Sequence, residues 1–303
     1  MTRIIPITSQ EQWHQVRASH IGGSDIASLF DASPYMTRFE LWHIKKGTMP
    51  DEMAESDRMF WGKMLEAGIA KGLAQQESWT ITPPDGYYVH PKVKGMGCTP
   101  DFFIEPIEGF TGRGILQIKN ISYLEWLDSW QDQEPPLNYL LQLQHEIACT
   151  GCKWGAIGIL VGGNEGYAFP YERHAPTVNR IETAVKEFWL TIDRNEEPKA
   201  ISEDYAFVRR MFRNSSGITI DLSRDNELPW LCEQAMKATK VRLAAEHEEK
   251  AYKAEIVRKI RDAEVALCNG FRIEYPQFSQ SIMETEAHVR NYRKLNIKEN
   301  SHV

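Results

Sequence analysis

Apolar residues recur every three or four positions through the first 45 residues, in "SQEQWHQVRAS", "SDIASLFD" and "TRFELWHIKKG". Each run has a cap-like residue in front, which predicts three short helices, with Ser24 at the N-cap of the second. A longer amphipathic helix is predicted over residues 54–76, around "MFWGKMLEAGIAKGLA". The period then shortens to two. "SWTITPP", "GYYVHPKV", "GMGCTPDFFIE" and "GRGILQIKN" read as short strands separated by Pro and Gly. "PPLNYLLQLQHEIACTG" returns to helical spacing, with Pro at its start and Gly151 behind it. "KWGAIGILVGG" is apolar enough for a buried central strand, and "EGYAFPYER" pairs beside it. "PTVNRIETAVKEFWLTID" closes the region as an amphipathic helix.

This order of helices and strands predicts an α/β (α+β) core, a mixed central sheet with helices on its faces. The core is expected over residues 1–200. Residues 195–225 read as a polar connector, and residues 201–303 as a C-terminal helical extension ending in short strands. Within it, residues 228–268 are helical, as one helix of roughly 60 Å or two antiparallel pieces. The last stretch, 271–298, carries a basic end of Arg290, Arg293, Lys294 and Lys298 around Tyr292.

Composition narrows the class only a little. A chain of 303 residues with 42% hydrophobic and 25% charged residues is ordinary for a globular protein. No apolar run reaches the roughly 20 residues that span a bilayer, and the first residues lack a secretory h-region, so a cytoplasmic location and no membrane partner are expected. Five cysteines, one pair as "CTGC", do not make a disulfide framework or a zinc site, which would need a second pair. A net charge of −7 argues against a basic coat for nonspecific DNA binding but leaves room for an enclosed groove or for clustered carboxylates around a metal ion.

Four stretches carry candidate chemistry. Asp101 follows Pro100 on one strand, and Gln117 and Lys119, two apart, share a face of the next. Oxygen donors from two adjoining strands can hold a hard divalent cation, with an ammonium beside it. Glu66 sits among apolar residues on the 54–76 helix, where an inward-facing acid needs a partner. Tyr139, Gln142 and Gln144 lie on the helix after the strand pair, Tyr139 and Gln142 on one face. Arg17 and the Gly22-Gly23-Ser24 turn before a helix start can receive an anion such as phosphate.

Taken together, "WHQVRASHIGGSDIASLF", "SPYMTRFELWHIKKG", "WGKMLEAGIA", "PD" at 100–101, "QIK" at 117–119 and "YLLQLQHEIACTG" resemble the YqaJ-like viral recombinases, relatives of phage lambda exonuclease in the PD-(D/E)XK nuclease superfamily. The resemblance covers residues 13–189. It implies a restriction-endonuclease-like core and an exonuclease that degrades one strand of double-stranded DNA from an end, 5′ to 3′, with Mg²⁺ or Mn²⁺. It also implies DNA ends as substrate, a single-strand annealing protein as partner, and a homo-oligomer of ring form. By the same resemblance Asp101, Gln117 and the carbonyl of Ile118 bind metal, Glu66 is the helix acid, and Lys119 is the catalytic lysine. Gln142 is the motif glutamine, supported by Tyr139 and Gln144. Arg17, Gly23 and Ser24 match the pocket for the DNA 5′-phosphate.

One position departs from the pattern. The family carries Glu or Asp where this chain has Gln117. An amide oxygen still ligates a hard cation but brings no charge. Two alternatives therefore stay open beside the exonuclease: a DNA-end-binding recombination protein with weakened cleavage, and an endonuclease of the same superfamily.

Overall fold

Capping chemistry sets the first elements. The structure, a computed structural model, describes residues 2–49, 57–130 and 134–277. Arg3–Ile5 forms a short strand, β1, too brief to show a period in the sequence. Helix α1 (Gln10–Ala18) starts where the Ser9 hydroxyl accepts the Gln12 backbone N–H, and α2 (Arg38–Lys46) starts at a reciprocal capping box of Thr37 and Glu40. The helix expected over "SDIASLFD" is instead a five-residue 3-10 helix, Ile26–Phe30, and Asp25, not Ser24, holds its cap position. The buried Asp25 carboxylate accepts the Gly22 N–H at 3.0 Å, which closes a tight turn and leaves Ser24 exposed. So short an element has no dipole end to offer an anion.

Helix α3 (Asp57–Gln76) follows. Its second half buries Ile69, Ala70 and Leu73, whereas Met59, Phe60, Trp61 and Met64 in the first half are exposed, so it is not the continuous amphipathic stripe expected. The strands come next: β2 (Ile81–Thr82), β3 (Tyr87–Val89), β4 (Gly97–Cys98), β5 (Phe102–Ile104) and β6 (Gly114–Ile121). Helix α4 (Tyr123–Ser129), capped by Ser122, was not anticipated, although Ser122 and Glu125 carry the S-x-x-E signature. Then come α5 (Leu137–Thr150), β7 (Trp154–Val161), β8 (Glu165–Glu172) and α6 (Ala175–Arg194).

The main sheet runs β2-β5-β6-β7-β8, parallel between β6 and β7 and antiparallel elsewhere, so it is mixed as predicted. A smaller antiparallel sheet has the order β1-β3-β4. On one face of the main sheet, Ile69, Ala70 and Leu73 of α3 bury Leu116, Ile118 and Ala156. Gly158 makes that contact possible, because a Cβ there would fall 2.6 Å from Leu73 Cδ1. On the other face, Leu143 and Ile147 of α5 meet Ile115, Ile157 and Ile159, with Val178, Ile181 and Phe188 of α6 in the same core. Burying each such side chain contributes about 1.5–3 kcal/mol. The sheet is thus clamped between α3 and α5, and β6 is buried on both faces up to Ile118.

The stretch read as a polar connector holds a 3-10 turn (Ser202–Asp204) and helix α7 (Tyr205–Met211). Phe207 is buried against Phe39 and His43, and the Asp204 carboxylate takes the Thr37 hydroxyl. The first compact unit therefore runs to Met211 rather than ending at 200. The second unit begins at Phe212. It contains α8 (Leu228–Ile260), one unbroken 33-residue helix of about 50 Å, so the antiparallel pair is not formed. Helix does not continue to 268 as expected: Val265–Cys268 (β9) pairs with Phe271–Glu274 (β10) across a tight turn. "VALC" and "FRIE" around Asn-Gly favour a hairpin over a helix. Arg290, Tyr292, Arg293, Lys294 and Lys298 lie outside the described residues. No helix among the described residues is long and apolar enough to cross a membrane.

Candidate active site

Strand pairing places the first carboxylate. The β5–β6 ladder ends with Phe102 opposite Leu116, so the Ile118 N–H beyond it has no partner on β5. Asp101 sits one residue before β5, and its Oδ2 accepts that N–H at 2.7 Å. In an extended strand the N–H and C=O of one residue face the same side, which turns the Ile118 carbonyl toward the Asp101 edge. Burial pushes the Asp101 carboxyl up, while Lys119 and the Ile118 N–H pull it down.

Two helices bring further acids to this edge. Glu66, one turn before the buried Ile69 and Ala70 on α3, is half-buried. Burial and then the negative charge of Asp101 push it up to about 7, against the pull of Lys119 and Lys63. Asp101, Lys119 and Glu66 thus occupy one electrostatic neighbourhood. Gln117 and Lys119 share the α5 face of β6, as predicted: the Lys119 ammonium lies 5.5 Å from the Tyr139 ring centre. Gln117 is fully buried, yet its amide turns to α5 rather than to Asp101.

The opening turn has its own charge arrangement. Arg17 Nη2 donates to Ser24 Oγ at 3.1 Å and to Asp25 Oδ1 at 3.0 Å. Lys45 on α2 lies 2.9 Å from Asp25 Oδ2 and donates to the Arg17 carbonyl. Burial works to raise Asp25, but Lys45 and Arg17 beside it hold its carboxyl far below the usual range. Two cations thus meet on one buried carboxylate. Gly23 has a negative φ, so a left-handed turn is not why glycine stands there. Its reason is proximity: a Cβ at Gly23 would lie 2.6 Å from Glu146 Oε1 and 3.0 Å from Gln142 Cγ. The turn therefore rests directly on α5.

Residues 12–153 match the family model of the YqaJ-like viral recombinase domain. That span holds every residue of both clusters. The chain is 28% identical over 183 residues to an uncharacterized protein, YqaJ, of Bacillus subtilis strain 168, an alignment covering 60% of this chain and 56% of that relative. The chain thus spans little more than half of that relative's length. Two solved structures of an alkaline exonuclease, LHK-Exo from Laribacter hongkongensis, one of them in complex with dAMP, superpose with a TM-score of 0.51 at 20% identity, over 61% of this chain and 94% of theirs. At that identity the likeness establishes the fold. The resemblance drawn from the motifs and the mixed α/β architecture are both borne out.

The YqaJ-like stretch also contains an acid that the sequence reading passed over. Glu146 on α5 is 2% exposed, and its Oε1 accepts the Gln142 amide at 3.0 Å and the Gln117 amide at 3.3 Å. Burial and then Asp101 push its carboxyl up to about 8, against Gln142, Lys119 and His145. Its position four residues after Gln142 in an apolar helix was the available signal. Lys45 was missed for lack of any signal beyond a helix end. Gln144, by contrast, is drawn elsewhere: it donates to the Glu172 carbonyl and accepts the His174 N–H, both at 2.8 Å, which ties α5 to the end of β8.

A divalent cation suits the chemistry of this edge. The Asp101 charge raises the proton affinity of both Glu66 and Glu146, and Gln117 Oε1 and Glu146 Oε2 are buried without a hydrogen-bond partner among the described residues. A cation relieves both. Among the described residues no three Asp, Glu, His or Cys side chains are grouped closely enough to hold a metal ion as they stand.

Proposed function

We propose that this chain is a metal-dependent exonuclease that resects double-stranded DNA ends, 5′ to 3′, for annealing-type recombination. The observation that carries it is the Asp101–Ile118 contact, which sets a carboxylate and a strand carbonyl beside Lys119 and within the field of Glu66. Asp101, Glu66, the Ile118 carbonyl and the Gln117 amide oxygen are the groups that would hold Mg²⁺ or Mn²⁺. When bound, the cation would polarise a phosphodiester and lower the pKa of a water molecule. Lys119, backed by the Tyr139 ring, orients that water and offsets the charge that builds on the phosphate oxygens. Gln142 keeps the neighbouring carboxylate in place. Arg17 and Ser24 grip the terminal 5′-phosphate, and Gly23 lets their turn lie against the wall that carries Glu146, so end and scissile bond meet over α5. A ring-forming homo-oligomer and a single-strand annealing partner complete the reading.

Gln117 favours a second reading, an end-binding protein that cleaves weakly, because the position brings no charge. Linear duplex with and without a 5′-phosphate, beside a closed circle, in Mg²⁺ and in Mn²⁺, separates the possibilities. Degradation of linear duplex alone, faster with the phosphate, is expected; nicking of the circle points to an endonuclease, and tight end binding without cleavage to the second reading. Lys119→Ala is expected to lower cleavage at least about a hundredfold with end binding retained. Unchanged cleavage in that variant removes Lys119 from the mechanism.

A further inference from the structure

Gln117 sits where the metal site wants a carboxylate, and the group its side chain touches is a carboxylate. The Gln117 amide donates to Glu146 Oε1 at 3.3 Å, and Gln142 donates to the same oxygen at 3.0 Å. Both donors hold one oxygen and leave the other, Oε2, buried and unpartnered, beside the equally unpartnered Oε1 of Gln117. No ion-pair partner of Glu146 is present among the described residues. A buried carboxylate in that condition is unfavourable unless it keeps a proton or gains a cation. The glycine at position 23 fixes the arrangement further, since any side chain there would collide with Oε1.

We propose that Glu146 supplies to the metal site the negative charge that Gln117 does not, so that the acid has moved from strand β6 to helix α5 while remaining next to its former position. Gln117 then acts as a positioning residue, holding one carboxylate oxygen so that the other faces the cation. This deepens the nuclease reading and rests on it. It explains how a neutral residue can stand at 117: the charge missing from β6 is made up from α5.

The test is Mn²⁺ binding to the full-length protein without DNA, followed by the electron paramagnetic resonance of free Mn²⁺ and by calorimetry. Three chains are compared: wild type, Glu146→Gln, and the exchange Gln117→Glu with Glu146→Gln. Thermal melting shows that each is folded. Glu146→Gln is expected to bind at least about tenfold more weakly, and the exchange to return to within about threefold of wild type. A folded Glu146→Gln that binds like wild type overturns the proposal while leaving the nuclease reading intact. An exchange variant that folds without regaining binding, or does not fold, also overturns it, because the two positions must be interchangeable. A wild-type chain that binds no Mn²⁺ sinks the nuclease reading and this proposal together.

Discussion

Arg17 is bonded to Asp25 at 3.0 Å, so a buried carboxylate already orients the guanidinium proposed to take the 5′-phosphate. Lys45, as buried as Asp25, takes the other carboxylate oxygen. Neutralising Asp25 strands a buried ammonium. Asp25→Asn is expected to cost about 3 kcal/mol or more in unfolding free energy, the usual penalty for breaking a buried pair from one side. Urea denaturation measures it; a loss below about 1 kcal/mol would mean that the pair behaves like an exposed one.

Gly23→Ala tests the seam between the turn and α5. The added methyl would sit 2.6 Å from Glu146 Oε1, and relief requires a shift of the carboxylate or the turn. A destabilisation of about 1–3 kcal/mol is expected, accompanied by weaker Mn²⁺ binding. Normal stability with normal binding would show that the contact is loose.

The acids of the site set a pH dependence opposite to that of an ordinary salt-bridged carboxylate. Glu66 and Glu146 keep protons in the folded chain up to about 7 and about 8, whereas the ordinary glutamate value is 4.5. Between those limits the folded state binds more protons than the unfolded one, so stability falls as pH rises from about 4.5 to about 8 and levels off above. In chelating buffer, wild type is expected to lose ground to Glu146→Gln across that window. A difference that stays constant with pH contradicts the assignment.

Gln144→Ala probes a structural tie. Two hydrogen bonds from its amide join α5 to the end of β8, and its removal leaves the Glu172 carbonyl and the His174 N–H to find new partners. A loss of about 1–3 kcal/mol in unfolding free energy is expected. No measurable loss would show that solvent replaces both bonds.

Much of this arrangement was legible because periodicity encodes faces. Two-residue spacing put Gln117 and Lys119 on one side of β6, and both do face α5. What periodicity does not encode is the partner across the gap: nothing in the spacing says that Gln117 meets Glu146 rather than Asp101. The Gly22-Gly23-Ser24 turn was read as a seat for an anion, and nothing local announces that Gly23 also serves contact with a helix more than a hundred residues away. Short elements failed for a related reason. β1, α4 and α7 are three to seven residues long, and Phe207 seals the end of the first unit through tertiary contacts that no local pattern announces.

Cys98, Cys149 and Cys152 are buried thiols, whereas Cys232 is half-buried and Cys268 exposed. Maleimide chemistry on the native chain is therefore directed to the second unit, with Cys268 the most open position. A fluorophore can be attached there without mutagenesis, on a hairpin far along the chain from Asp101, Glu66 and Glu146, which makes the unaltered sequence its own reporter.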